Sequence, residues 1–176
     1  MRLPTPICFM SMSAPPPSAV LIAVLTLSIP ALAENNVVPA CVYTTMDSQP
    51  ATPLHNYQGK VVYLDFWASW CGPCVESFPF MNQLHTDLHS QGLEVVAVNL
   101  DEDLADGQAF LAQHPPKFTV VADADQQCAR QLALKAMPST YLIDRKGIIR
   151  ATHLGFRAGE AAEFRKTVEA VLKEAP

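Results

Sequence analysis

Cys71 and Cys74 decide what this 176-residue chain can do. They stand two residues apart in Trp70-Cys71-Gly72-Pro73-Cys74, directly after the apolar run Val61 to Trp67 and at the opening of a helical pattern. The first backbone N–H groups of a helix have no partner within it, and the positive end of its dipole lies there. A thiolate on the first cysteine is therefore stabilised, and the second lies within reach to close a disulfide. That is a redox-active dithiol. A zinc site would need a second Cys/His pair at ligand spacing, and Cys41 and Cys128 stand alone. Haem attachment needs His directly after the second cysteine, where this chain has Val75. A passive clasp is the remaining alternative, although so small a loop removes little chain entropy.

Asp65 is the second residue with chemistry in it. It interrupts an apolar run a few residues before the dithiol. A carboxylate buried without a partner is costly, so its pKa is expected to rise and the group to hold or pass a proton near neutral pH. An acid rescued by a hydrogen bond or by water is the purely structural alternative.

The elements that must position these groups follow from hydrophobic spacing. Val61 to Trp67 is too uniformly apolar for a half-exposed strand and reads as central, covered on both faces. A helix is predicted from Cys71 to about Ser90, with Phe78, Met81, Leu84 and Leu88 as its buried stripe and Pro79 bending it. Leu93 to Leu100 reads as a second buried strand, Leu104 to His114 as a helix, Phe118 to Val121 as a short strand and Gln126 to Leu134 as a short helix. Tyr141 to Ile143 and Ile148 to Thr152 form a predicted hairpin, and Glu160 to Lys173 a last amphipathic helix. This order is that of an α/β sandwich. Residues 34–59 read as an N-terminal extension with a strand-like piece at Cys41 to Thr44.

Residues 1–33 read as a cleaved signal peptide. No charge follows Arg2 until Glu34, an apolar stretch runs from Ala19 to Ile29, and Ala31-Leu32-Ala33 supplies the cleavage pattern. That stretch is short of the roughly 20 residues a membrane span needs; an uncleaved N-terminal anchor in the inner membrane, facing the periplasm, is the alternative. The whole chain carries a formal charge of −5, and loss of Arg2 makes the mature part more negative. There is no basic patch for nucleic acid. The acidic run Asp101-Glu102-Asp103, with Asp106, reads as a solvated loop and helix start. Cys41 and Cys128 read as two separate buried thiols, a bridge between them being the alternative, and His85 and His89 as a surface pair rather than a metal site. No metal site is expected.

Asp65-Phe66-Trp67-Ala68-Ser69-Trp70-Cys71-Gly72-Pro73-Cys74 resembles the active-site segment of thioredoxin, with Pro79 at the place of its helix kink. Met137-Pro138-Ser139-Thr140 resembles the cis-proline loop of the same superfamily. With the signal, the extension and a longer β-α insert between Asn99 and Asp123, the chain resembles the exported TlpA/ResA-like thiol-disulfide oxidoreductases. The resemblance implies a thioredoxin fold, a central mixed sheet with helices on both faces, over residues 60–176. It implies that Cys71 attacks a substrate disulfide, Cys74 resolves the mixed disulfide, and Asp65 takes the proton of Cys74 through water. Trp70, Gly72, Pro73, Met137 and Pro138 would meet the substrate, Pro138 presenting the backbone of Met137 to a bound peptide.

No cofactor is implied. The implied partners are protein disulfides, apocytochrome c among them, and a membrane thiol donor of the DsbD/CcdA type, for a periplasmic monomeric reductase. A disulfide oxidant or isomerase, and a binding or assembly factor without turnover, are the alternatives. The chain departs from the resemblance at three places, one of them Asp65 itself, where cytochrome-maturation members commonly have Asn. The Lys that often faces the buried acid in thioredoxins is absent from Val95-Val96-Ala97-Val98. Ser77 stands where cytochrome-maturation members have Glu.

Overall fold

The computed structural model describes residues 36–175, so the signal expected over residues 1–33 lies outside the described residues. Five strands form one sheet: β1 (Val61–Trp67), β2 (Leu93–Asn99), β3 (Thr119–Ala122), β4 (Ser139–Ile143) and β5 (Ile149–Leu154). Their order is β3-β2-β1-β4-β5. β2 lies parallel to both β1 and β3, whereas β4 runs antiparallel to β1 and β5. β1 is thus central, and all seven of its residues are buried, as its unbroken apolar run requires. Four helices complete the fold: α1 (Gly72–Leu88), α2 (Leu104–Gln113), α3 (Gln127–Gln131) and α4 (Ala161–Leu172).

Alternation along β1 divides the core in two. Val61, Tyr63 and Trp67 face one way and pack with Phe78, Met81 and Leu84 of α1, Phe110 of α2 and Val168 of α4. Val62, Leu64 and Phe66 face the other way. There they meet Cys128 and Ala129 of α3 together with Cys41, Tyr43 and Leu54 of the N-terminal extension. Among the described residues the second face is covered by the five-residue α3, and the extension supplies the rest of its cover. Pro79 lies inside α1, which continues through it to Leu88.

Three expectations are corrected. Cys41 to Thr44 does not form a strand. Residues 36–59 pair only through isolated bridges, Val37 with Ile148 and Thr44 with Pro50 and Ala122, and Pro39, Pro50 and Pro53 remove the donors a ladder would need. Cys41 and Cys128 are not separate thiols but a disulfide with a Cα–Cα distance of 5.4 Å. Asp101 is not solvated: it is 3% exposed. Only Asp103 behaves as a helix start, its carboxylate accepting the Ala105 N–H as the N-cap of α2.

α3 is also shorter than its pattern predicted. Gln126 (φ 54°) and Ala133 (φ 50°) bracket it in the left-handed region, where a side chain is strained and a helix cannot continue.

Candidate functional site

β1 ends at Trp67 and α1 starts at Gly72, so Ala68 to Cys71 form the turn that carries the dithiol. Cys71 is the N-cap of α1, with Pro73 in the first turn, where its missing N–H goes unneeded. Cys71 and Cys74 are joined as a disulfide with a Cα–Cα distance of 5.3 Å. Cys71 retains 4% exposure and Cys74 none. Cys74 packs in the same cluster as Tyr63, Trp67 and Phe78, while its carbonyl accepts the Ser77 hydroxyl at 3.0 Å. The Trp70 indole stands 70% exposed beside the pair.

Asp65 lies on the face of β1 that carries Tyr63 and Trp67, and it is 1% exposed. Thr140, opposite it on β4, donates its hydroxyl to Oδ1 at 2.5 Å. Oδ2 has no partner among the described residues. Ala97 pairs with Asp65 on β2, so no cation faces the acid from that strand. Burial pushes the Asp65 pKa up to about 7, against the pull of the Thr140 hydrogen bond. The Tyr63 hydroxyl and Trp67 Nε1, on the same face, also lack partners among the described residues. Burial and the neighbouring Asp65 carboxylate hold the Tyr63 phenol above its ordinary range.

The Met137–Pro138 peptide bond is cis, as the resemblance implied. The Pro138 carbonyl accepts the Gly155 N–H at 2.7 Å, which ties this loop to the end of β5. Met137 and Trp70 line one open groove of about 580 Å³ with Leu100, Ala129 and Leu134. The structure therefore gathers the dithiol, Trp70 and the proline loop at the C-terminal end of the parallel strands, with Asp65 in the sheet.

Asp101 is the residue that the sequence reading missed. Its carboxylate accepts the Ser69 N–H at 3.0 and 3.1 Å, the Ser69 hydroxyl at 2.9 Å and Asn99 Nδ2 at 2.7 Å. The Asn99 side chain returns the bond, accepting the Asp101 N–H at 3.2 Å. Three donor groups converge on an acceptor-only side chain, and they include the residue that precedes Trp70. The Leu100 N–H, bonded to the Trp67 carbonyl at 2.9 Å, adds a backbone tie between the same segments. A signal was present: Trp67 and Asn99 are paired at the ends of neighbouring parallel strands. Polar residues just beyond those ends lie side by side. Gly107 fits close against this network, because a Cβ there would come within 2.9 Å of Asn99 Nδ2.

No group of three or more potential metal ligands occurs among the described residues. His85 and His89 stack with ring centroids 4.6 Å apart.

An oxidisable cysteine pair at a helix start, a buried acid in the strand leading to it and a cis-proline loop on a central mixed sheet define the class of thioredoxin-fold redox proteins. The sequence matches the Redoxin family over residues 33–172, and the chain belongs to that family. It is 35% identical over 97 residues to the thiol-disulfide oxidoreductase ResA of Geobacillus thermodenitrificans, covering 55% of this chain and 56% of that protein. To the ResA of Bacillus subtilis it is 37% identical over 94 residues, covering 53% and 52%. The chain thus spans about half the length of these two curated relatives. Among solved structures, a Chlorobium tepidum protein carrying the name thiol:disulfide interchange protein DsbE superposes with a TM-score of 0.74 and 42% identity, over 77% of this chain and 95% of that one. A secreted Mycobacterium tuberculosis disulfide oxidoreductase shares the fold at a TM-score of 0.64 and 21% identity, over 74% and 96%.

Proposed function

We propose that this protein is an exported thiol-disulfide oxidoreductase that reduces protein disulfides through Cys71 and Cys74. In the reduced protein the Cys71 thiolate attacks one sulfur of a substrate disulfide, forming a mixed disulfide and expelling a substrate thiolate. The Cys74 thiol passes its proton to Asp65 through water. The resulting thiolate attacks Cys71 Sγ, releases the second substrate thiol and leaves the Cys71–Cys74 disulfide. Two electrons have then moved to the substrate, and a membrane thiol donor of the DsbD/CcdA type returns them. Trp70, Gly72 and Pro73 form the rim around the attacking sulfur, and Pro138 presents the backbone of Met137 to an added peptide strand.

The observation that carries this reading is the disulfide at the start of α1 together with Asp65, an acid whose second oxygen has no partner and whose pKa is pushed up to about 7. Such an acid is ionised part of the time at neutral pH and can accept a proton there. Reduction as the direction rests on Gly72-Pro73, the dipeptide that the resemblance to thioredoxin supplies; thioredoxin itself lies near −270 mV. The names of the relatives support protein disulfides as the substrate class; apocytochrome c as one of them rests on the sequence resemblance alone.

The test is insulin reduction with a chemical donor, paired with equilibration against glutathione. Turnover that disappears in Cys71→Ser and a potential on the reducing side of glutathione are expected. A potential near −120 mV, that of the strong oxidant DsbA, would make the protein a disulfide-forming enzyme instead. Trapping with Cys74→Ser in the periplasm would name the substrates.

A further inference from the structure

We propose that the segment Gln126 to Leu134 is a preformed specificity wall, and that Arg130 on it selects substrate segments carrying an acidic side chain beside the reactive cysteine. The inference rests on the reading of the groove beside Cys71 as the place where substrate binds.

The segment is short and unusually restrained. Cys128 is held by its disulfide to Cys41, and the Tyr43 hydroxyl donates to Cys128 Sγ at 2.9 Å. The Asp123 carboxylate accepts the N–H groups of Cys128 at 3.3 Å and Ala129 at 2.9 Å. The Tyr141 hydroxyl donates to the Leu132 carbonyl at 3.2 Å. At either end Gln126 and Ala133 sit at positive φ, a conformation that is strained for a residue with a side chain. A five-residue helix needs none of this merely to fill space behind a sheet. Backbone held in costly conformations by several independent ties is what a binding surface of fixed shape requires.

Into the groove the wall presents the Gln126 amide, three apolar side chains and one charge. Ala129, Ala133 and Leu134 line the groove opposite Trp70 and Met137, and Arg130 lines it too. Arg130 is exposed and forms no ion pair or side-chain hydrogen bond among the described residues. The acids next to α3 in sequence are engaged elsewhere, Asp123 with α3 backbone and Asp125 with Gln127 at 2.7 Å, as is Asp101, next to the groove-lining Leu100, with Ser69 and Asn99. Arg130 is thus the one cation among the residues lining the groove; Lys135, exposed and also without an ion pair among the described residues, stands between the lining residues Leu134 and Ala136. An extended peptide running along Met137 would bury apolar side chains there and bring an acidic one to Arg130. A basic side chain at that place would meet an uncompensated like charge, so the device acts by rejection as well as attraction.

The experiment uses two peptide disulfides of matched sequence, one with Glu and one with Lys flanking the reactive cysteine. The second-order rate at which each oxidises the reduced full-length protein is followed by tryptophan fluorescence. Wild type is expected to favour the Glu peptide by about five- to tenfold at low ionic strength, with the preference shrinking in salt. Arg130→Glu should invert the ratio and Arg130→Lys should keep its direction. Equal rates for both peptides in wild type, or an unchanged ratio in Arg130→Glu, would overturn the assignment of Arg130 while leaving the oxidoreductase reading intact. Failure of both peptides to react with wild-type protein would overturn both readings, and failure of the Glu peptide alone would overturn the assignment of Arg130.

Discussion

The two disulfides have nearly the same Cα–Cα distance, 5.3 Å for Cys71–Cys74 and 5.4 Å for Cys41–Cys128, yet they close loops of very different size. Cysteines three positions apart restrain the unfolded chain by about 2 kcal/mol on the loop-entropy relation, and cysteines 87 apart by about 4.6 kcal/mol. Their surroundings differ in the same sense. Cys71 opens a helix at the edge of a groove, above a buried acid able to accept a proton. Cys41 and Cys128 lie among apolar side chains on the other sheet face, with a tyrosine hydroxyl as polar company. Burial and the Asp123 carboxylate hold the Tyr43 phenol well above its ordinary range, so it stays neutral and offers no base. One bond is placed where exchange is cheap and useful, the other where persistence is.

The sharpest way to break this comparison is to delete each bridge separately. Cys71→Ala with Cys74→Ala should abolish disulfide exchange altogether while lowering unfolding stability by no more than about 2 kcal/mol. Cys41→Ala with Cys128→Ala should lower unfolding stability by about 2–5 kcal/mol while the folded fraction still turns over insulin. Paired urea melts and insulin assays read both effects, and a crossed result, with the second pair carrying the turnover, would reverse the roles.

Asp65→Asn tests the proton side of the difference. The native pKa of Asp65 is raised, so the native state prefers the neutral acid. Its contribution is complete below the unfolded value, near 4, and is lost as pH rises through about 7. Stability of the oxidised wild type should therefore fall across that window, whereas the Asn variant, which still accepts the Thr140 hydroxyl, should fall less. At pH 8 the variant is expected to be more stable, by on the order of 2 kcal/mol. It should also react more slowly with substrate disulfides and lose the inflection near pH 7. A variant that is less stable and fully active would make Asp65 a structural hydrogen-bonding residue.

Asp101→Asn should have the smallest effect. The amide cannot accept from Ser69 and Asn99 together without setting two donors against each other, which costs about 1–3 kcal/mol. Loosening of Ser69 and Trp70 should appear as lower Trp70 fluorescence anisotropy and a severalfold rise in KM with kcat little changed. Unaltered anisotropy and KM would confine Asp101 to stability.

Much of this was legible in the sequence because it is local. The strand Val61–Trp67, the helix after it and the dithiol at their junction are written in neighbouring residues. So is the acid in the strand, whose burial follows from having only apolar neighbours. Cys41 and Cys128 were not legible as a pair, because nothing local reports on a contact across 87 positions. Asp101 misled for a related reason. In Asp101-Glu102-Asp103 three acids look alike, and only the ending of β2 beside β1 sends the first inward to Ser69. The ends of α3 escaped because Gln126 and Ala133 adopt a conformation that their residue types disfavour.

The N-terminal extension has one more effect. Its Asn36 carbonyl accepts the N–H of Ile149, the first residue of β5, at 2.6 Å. Further on, Thr44 exchanges two backbone hydrogen bonds with Ala122, the last residue of β3, at 2.7 and 3.0 Å. β3 and β5 are the two outer strands of the sheet. A single stretch of chain therefore fastens on both margins, occupying donors and acceptors that would otherwise be open to a strand from a second molecule. Open margins invite stacking of copies and, at high concentration, fibres. On the reading proposed above, in which the substrates are protein disulfides, that closure also keeps extended substrate segments off the sheet margins. With its outer strands partly closed, the sheet offers a strand from a second molecule fewer open donors and acceptors at either margin.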